Sequence, residues 1–416
     1  MSAQPNRRTA ITGIGVVAPN GLQTETYWKS VAEGLSVLDR IAREGCGHLP
    51  LRVAGEVRGF DPTALIEETF LVQTDRFSHF AMAAAGAALK DAGLGDAAGD
   101  SPYSVGVVTA AGSGGGEFGQ RELQKLWGQG SRFVGPYQSI AWFYAASTGQ
   151  ISIRSGFKGP CGVVASDEAG GLDAVAHAAR TVGRGTDVVV VGAAEAPLAP
   201  YSMVCQLGYP ELSTVEDPAR AYRPFTSEAC GFVPAEGGAV LIVEDLDRAR
   251  RRDADVRAIV AGHAATFTGA SRWDRSREGL AQAVRGALDE AGCAPEEIDV
   301  VFADAMGVPE ADRAEALALA DALGPHGTRV PVTAPKTGIG RSYCGAPLLD
   351  VAAAVMAMEE GRIPPTPNVF DVCHDIDLVT STARPAELST ALVLSRGLMG
   401  SNAALILRRD PGPAAR

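Results

Sequence analysis

Ser166-Asp167-Glu168-Ala169-Gly170-Gly171 follows an apolar run at residues 162–165 and opens an alanine-rich segment of helical period. Strand, tight turn and helix in that order commonly present a nucleophile, because a helix N-terminus favours an anion and lowers the pKa of a thiol. The residue at the turn is Glu168. Its carboxylate cannot form the thioester that a cysteine would form, although the same dipole would hold its charge. Taken alone, such a turn is a weak sign of chemistry, since most small-residue turns before helices are structural.

The elements that must position this turn read as alternating layers. Strand-like runs at 10–17, 105–111 and 188–191 are interleaved with helical periods at 80–92 and 174–182, the pattern of parallel α/β layers. Of 49 glycines, the telling ones sit at strand ends: Gly112 to Gly116 (broken by Ser113), Gly170 with Gly171, and Gly237 with Gly238. There a glycine marks a tight turn or a close backbone approach. After a charged stretch at 244–255 the same grammar restarts, with strands expected at 256–261, 298–303 and 391–394 and a helix at 277–291. The chain therefore reads as internally duplicated, with halves 1–252 and 253–416 packed together and no low-complexity linker.

A chain of 416 residues with 46% hydrophobic and 21% charged content can bury a large core. Its net charge of -12 argues against nucleic-acid binding, which draws affinity from Lys and Arg on phosphates. The one basic run, Arg248, Arg250, Arg251 and Arg252, reads as the solvated end of a helix. Seven scattered cysteines without a CxxC pair suggest neither a disulfide framework nor a zinc site. No segment reads as a signal peptide or membrane span, so a cytoplasmic protein with no membrane partner is expected.

Several longer stretches match one family. They are residues 12–21, Phe118-Gly119-Gln120-Arg121-Glu122-Leu123, residues 148–153, Ala169-Gly170-Gly171-Leu172-Asp173-Ala174, Ala221-Tyr222-Arg223-Pro224-Phe225 and residues 231–238. With them nearly the whole chain resembles the chain-length factors, the ketosynthase-like beta subunits of bacterial type II aromatic polyketide synthases. The resemblance implies an α/β thiolase fold whose duplicated halves stack in five layers, α-β-α-β-α. It also implies a heterodimer with a catalytic ketosynthase alpha subunit, and a substrate carried on the phosphopantetheine of an acyl carrier protein with no cofactor bound directly.

A ketosynthase uses a cysteine and two histidines, and matching by motif puts those positions at Glu168, Asp304 and Arg341. Of that active-site set only Lys336 is kept. Condensing a decarboxylated malonyl unit needs an acylated thiolate and donors for the developing oxyanion. An ionised Asp304 offers repulsion instead, and the Arg341 guanidinium cannot exchange a proton as histidine does. An ion pair of Arg341 with Asp304 or Glu168 would be a sensible structural replacement. Chain-length factors commonly carry glutamine where Glu168 stands, a residue associated with malonyl decarboxylation; Glu168 could mimic its neutral amide if burial raised its pKa.

In the resembled family the growing chain enters a tunnel at the subunit interface, closed by side chains of the silent subunit. The positions matching that gate are Gly116, Gly119 and Leu123, which share a face if the segment is helical. Two glycines there enlarge the room and point to a long product; the same glycines could instead serve tight packing. Phe118, Trp127, Phe133, Trp142, Phe143 and Tyr144 read mostly as core and interface packing, His177 as structural, and Cys161 and Cys344 as buried small residues. The expected function is a subunit, inactive alone, that sets polyketide length. The alternatives are a malonyl-carrier decarboxylase, a weak condensing enzyme, or a carrier-protein scaffold.

Overall fold

The computed structural model describes residues 8–95, 101–269 and 273–412. Ten strands form its sheet framework. In the first half these are β1 (Thr9–Val17), β2 (Val105–Ala110), β3 (Cys161–Val164), β4 (Val188–Glu195) and β5 (Gly237–Asp245). In the second they are β6 (Ala258–Phe267), β7 (Val300–Phe302), β8 (Pro331–Thr333), β9 (Thr390–Arg396) and β10 (Ser401–Arg408).

Both halves follow one plan. The spatial order is β3-β2-β4-β5-β1 in the first and β8-β7-β9-β10-β6 in the second, with the two-residue strand Asp377–Leu378 outside β8. The first three strands of each list run parallel and the remaining pairings are antiparallel. The halves join edge to edge where Thr9, Ala10 and Ile11 pair with Val260, Ile259 and Ala258.

The helices repeat as well. Helix α1 (Arg76–Asp91) follows β1 as α6 (Trp273–Ala291) follows β6. Between β2 and β3 lie α2 (Gly116–Gln129) and α3 (Ala146–Ser155), and between β7 and β8 lies α7 (Pro309–Leu323). Helix α4 (Gly170–Gly183) leads into β4, α5 (Pro200–Gln206) follows β4, and α8 (Gly345–Glu360) leads into β9.

Helices α4 and α8 fill the middle layer. Residues 345–358 of α8 are buried all round, as expected of a helix enclosed between two sheets. Strands β4, β5 and β9 are buried along their whole length and are therefore apolar runs rather than alternating ones. The outer helices lie so close to the sheets that glycine is required in the strands. A Cβ on Gly15 of β1 would sit 2.0 Å from the Ala84 carbonyl of α1, and one on Gly262 of β6 would sit 2.3 Å from the Ala287 carbonyl of α6.

The strands and helices anticipated from hydrophobic period all form, with shifted ends. The largest shift is in β6, which begins at Ala258 and continues to Phe267 because β10 pairs with it residue by residue beyond the apolar run. The basic run needs correction. It closes the short helix Leu246–Arg251, but Arg248 and Arg252 both bind the fully buried Glu244 at 2.5 Å, and Arg250 binds Asp410 at 2.6 Å. Neutralising the buried Glu244 accounts for Arg248 and Arg252, while Arg251 stays exposed as a solvated helix end would. No helix among the described residues is long and apolar enough to cross a membrane.

Candidate functional site

The turn between β3 and α4 is held by its own acid. Asp167 sits at φ 57°, and its Oδ2 accepts from the Met399 N–H at 2.6 Å, tying the turn to the β9–β10 loop. That geometry carries Glu168 into the interior, where it is 3% exposed. Arg341 precedes α8, and Asp304 follows β7. Three segments distant in sequence thus meet at one point.

Arg341 is the hub. Its Nε donates to Glu168 Oε2 at 2.9 Å, Nη1 to the Asp304 carbonyl at 3.0 Å, and Nη2 to Asp304 Oδ1 at 2.7 Å and to the Arg396 carbonyl at 2.5 Å. Arg396 ends β9 and clamps Asp304 from the other side, with Nε on Oδ2 at 3.0 Å and Nη2 on Glu315 Oε2 at 2.7 Å. Glu315 in turn accepts from the N–H groups of Asp304 and Ala305 at 2.7 and 3.0 Å. Lys336 Nζ donates to the Ala303 carbonyl at 2.8 Å and lies 2.6 Å from Asp350 Oδ2.

The network is buried and nearly balanced in charge. Burial opposes the ionisation of Asp304, yet Arg341, Arg396 and Lys336 outweigh it and hold the carboxyl at about 2. Glu168 behaves oppositely: burial, helped by Asp167 and Asp304, pushes it up to about 7 against the pull of Arg341. Burial likewise lifts Asp350 to about 6 despite Lys336. With Glu168 protonated, Asp304, Glu315 and Asp350 face three cations, an arrangement that avoids an uncompensated charge in the core.

A cavity of about 390 Å³ opens beside this network. Glu168, Glu195, Cys344, Tyr209, Ser202 and Gly116 are among the residues on its wall. Glu195 ends β4 and is pushed up to about 7 by burial, although Gly112 N–H and Ser113 Oγ donate to it at 2.6 and 2.8 Å. Cys344 is the buried thiol nearest this chemistry, and burial together with Glu195, Glu168, Asp167 and Asp173 drives its pKa well above the usual thiol value. A thiol so surrounded is a poor nucleophile. No group of acids, histidines and cysteines fit to hold a metal occurs among the described residues.

The gate positions all lie on α2. Gly116 opens the helix and lines the cavity, and a Cβ there would come 2.1 Å from Ser202 Oγ on α5. Gly119 is buried against Trp142, whose Cδ1 would lie 3.1 Å from an added Cβ. Leu123, one turn further on, is exposed and does not touch the cavity. Asp75 positions the helix: it caps α1 and also accepts from the Phe118 N–H at 2.6 Å.

One expectation fails here. Cys161 is exposed rather than buried, because β3 is the outer strand of the sheet. Of the aromatic group only Phe118 is buried; Trp127, Phe133, Trp142, Phe143 and Tyr144 stand exposed on the single chain. Sequence reasoning also missed Arg396, Asp350 and Glu195. A lone charge inside an otherwise apolar strand or helix was the available signal, since such a charge must be paired when buried.

Two similar α/β halves define a thiolase fold, here with a buried ion-pair network where both middle helices begin. The N-terminal domain model of the beta-ketoacyl synthases matches residues 6–249 and the C-terminal domain model residues 257–370, so the chain belongs to the beta-ketoacyl synthase family. It is 85% identical over 411 residues to a Streptomyces cyaneus protein named as a polyketide beta-ketoacyl synthase 2, covering 98% of both chains. It is 50% identical over 403 residues to the tetracenomycin polyketide synthase ketoacyl synthase beta subunit of Streptomyces glaucescens, covering 96% of this chain and 98% of that one. Among solved structures, the ishigamide ketosynthase/chain length factor superposes with a TM-score of 0.89 at 27% identity, over 98% of this chain and 100% of that chain.

Proposed function

We propose that this protein is the non-catalytic beta subunit of a ketosynthase heterodimer and sets the length of an aromatic polyketide. The observation that carries the reading is the Glu168–Arg341–Asp304–Arg396 ion-pair network. We read it as standing where a condensing enzyme has its nucleophile and histidines: Glu168 offers no thiolate to acylate, and the Arg341 and Arg396 guanidiniums are committed to internal carboxylates and carbonyls. The relative named as a beta subunit, and the neighbour named as a ketosynthase/chain length factor, support the same assignment.

The face for the catalytic partner is the one bearing the exposed Trp127, Phe133, Trp142, Phe143 and Tyr144 next to the unpaired edge of β3. Exposed aromatics and an open strand edge are both surfaces a soluble protein covers. The carrier protein delivers substrate to the partner's thiol, and the chain grows toward α2, where Gly116 lines the cavity, Gly119 packs on Trp142, and the exposed Leu123 would close the tunnel only from the partner's side. Glycine at two of three positions leaves room for a product at the long end of the range.

Decarboxylation by this subunit finds no support. A malonyl carboxylate in the cavity would meet Asp167 and, among the described residues, no free cation, because Arg341 and Lys336 are spent on internal partners. The test is reconstitution of partner, carrier protein and malonyl donor with and without this subunit. The proposal expects long polyketide only with it, and no carbon dioxide from malonyl carrier protein with this subunit alone. Release of carbon dioxide by the purified subunit would reinstate the decarboxylase.

A further inference from the structure

Helix α2 begins without a cap of its own. Its N-cap position is Gly115, which has no side chain to accept from the first-turn N–H groups, and those groups need an outside acceptor. A local replacement is barred, because a Cβ on Gly115 would lie 1.9 Å from the Ala141 carbonyl oxygen. The connection from β2 is equally bare: it reads Gly112-Ser113-Gly114-Gly115, and glycine leaves the backbone free unless something else fixes it.

Two buried acids from other elements fix it. Glu195, at the end of β4, accepts from the Gly112 N–H at 2.6 Å and from Ser113 Oγ at 2.8 Å. Asp75 is 1% exposed, and its Oδ2 accepts from the Phe118 N–H in the first turn of α2 at 2.6 Å. Its Oδ1 caps α1 through the Phe77 N–H at 3.3 Å. One carboxylate thus caps two helices, and the shorter bond goes to the helix it does not belong to. Farther along α2, Glu117 meets Arg43 at 3.2 Å and Gln120 accepts from the Tyr201 N–H at 2.8 Å, both nearer solvent, where such ties are worth less.

We propose that Asp75 is a positioning residue for product length: by capping α2 from α1 it fixes where Gly116 and Gly119 stand, and so how uniform a length the subunit sets. This rests on the length-setting reading and adds the residue on which the placement of α2 depends. Asp75 is not on the cavity wall, so it acts through α2 alone. A slip of α2 by one residue moves its side chains by about 1.5 Å, on the order of one carbon of an extended chain. A loosened first turn therefore blurs the length instead of abolishing synthesis.

The experiment uses the complete complex of this subunit, ketosynthase partner, carrier protein and malonyl donor, with products resolved by mass spectrometry. Asp75→Ser separates the two caps: serine is a good cap for its own helix but is too short to reach the Phe118 N–H. The share of the main product should fall several-fold in favour of chains differing by one two-carbon unit, with total product within about twofold. Hydrogen exchange over residues 116–126 should quicken about fivefold, as expected for a lost cap of ordinary strength, while α1 stays protected. Asp75→Asn keeps the shape but leaves one acceptor for two donors, so it should broaden the product less; it carries the test if Asp75→Ser does not fold. Unchanged exchange in α2 would overturn the proposal. So would faster exchange with an unchanged product distribution, and if Gly119→Phe still shortens the product, the length-setting reading survives that failure. If Gly119→Phe changes nothing either, that reading falls and this one with it.

Discussion

Arg341 spends Nε, Nη1 and Nη2 on Glu168, Asp304 and Arg396, and that commitment decides what the site cannot do. Restoring the thiol alone is therefore insufficient: Glu168→Cys should neither become acylated by a carrier-bound thioester nor condense it, measured by intact-protein mass spectrometry. The network is also a point of fragility, because removing one partner of a buried pair leaves an uncompensated charge. Arg396→Met strands Asp304 and Glu315 and should cost on the order of 3–5 kcal/mol in denaturant unfolding. Glu168 gives a signed pH effect. Its folded value of about 7 lies above its ordinary 4.5, so the folded state holds more protons. Its contribution is complete below the ordinary value and is lost as pH rises through about 7, on the order of 3 kcal/mol. Melting curves between pH 5 and 8 should decline more steeply for the wild type than for Glu168→Gln. Glu168, Asp304 and Arg341 were legible through motif spacing, and opposite signs suggested their pairing. Arg396 and Asp350 were not, because an apolar strand or helix masks a single charge until its partners from other segments are seen.

At the scale of elements, close contact between sheet and helix replaces bulk. Gly15→Ala and Gly262→Ala each drive a methyl into a helix carbonyl and should destabilise by about 1–3 kcal/mol or more, with α1 or α6 forced off its sheet. Both should be visible as a lowered melting temperature with the secondary structure retained. Strand and helix identities were readable from period because both halves repeat one arrangement, and pairing in β1, β4 and β9 coincides with apolar runs. Ends were less readable: β6 runs on through residues 262–267, past its aliphatic run, because β10 supplies hydrogen bonds that composition does not record. Arg248 and Arg252 of the basic run were misread for a related reason, since Glu244, which they neutralise, lies in a strand that only the fold buries.

For the whole molecule, duplication was readable from the alternation of strands and helices and the five layers from the family resemblance, whereas which aromatics would stand exposed was not. The aromatics read as core and interface packing divide, with Phe118 in the core and Trp127, Phe133, Trp142, Phe143 and Tyr144 exposed on the single chain. Covering the face that bears them is a prediction. Cys161 on the open edge should react readily with a maleimide in the isolated subunit, and slow several-fold once the ketosynthase partner is bound, followed by peptide mapping. The central claim, that this subunit fixes length from α2, is tested most directly by product mass from the reconstituted heterodimer carrying Gly119→Phe, whose ring must enter the space beside Trp142. The account predicts a product shorter by one or more two-carbon units at comparable yield; an unchanged length at intact yield would contradict it.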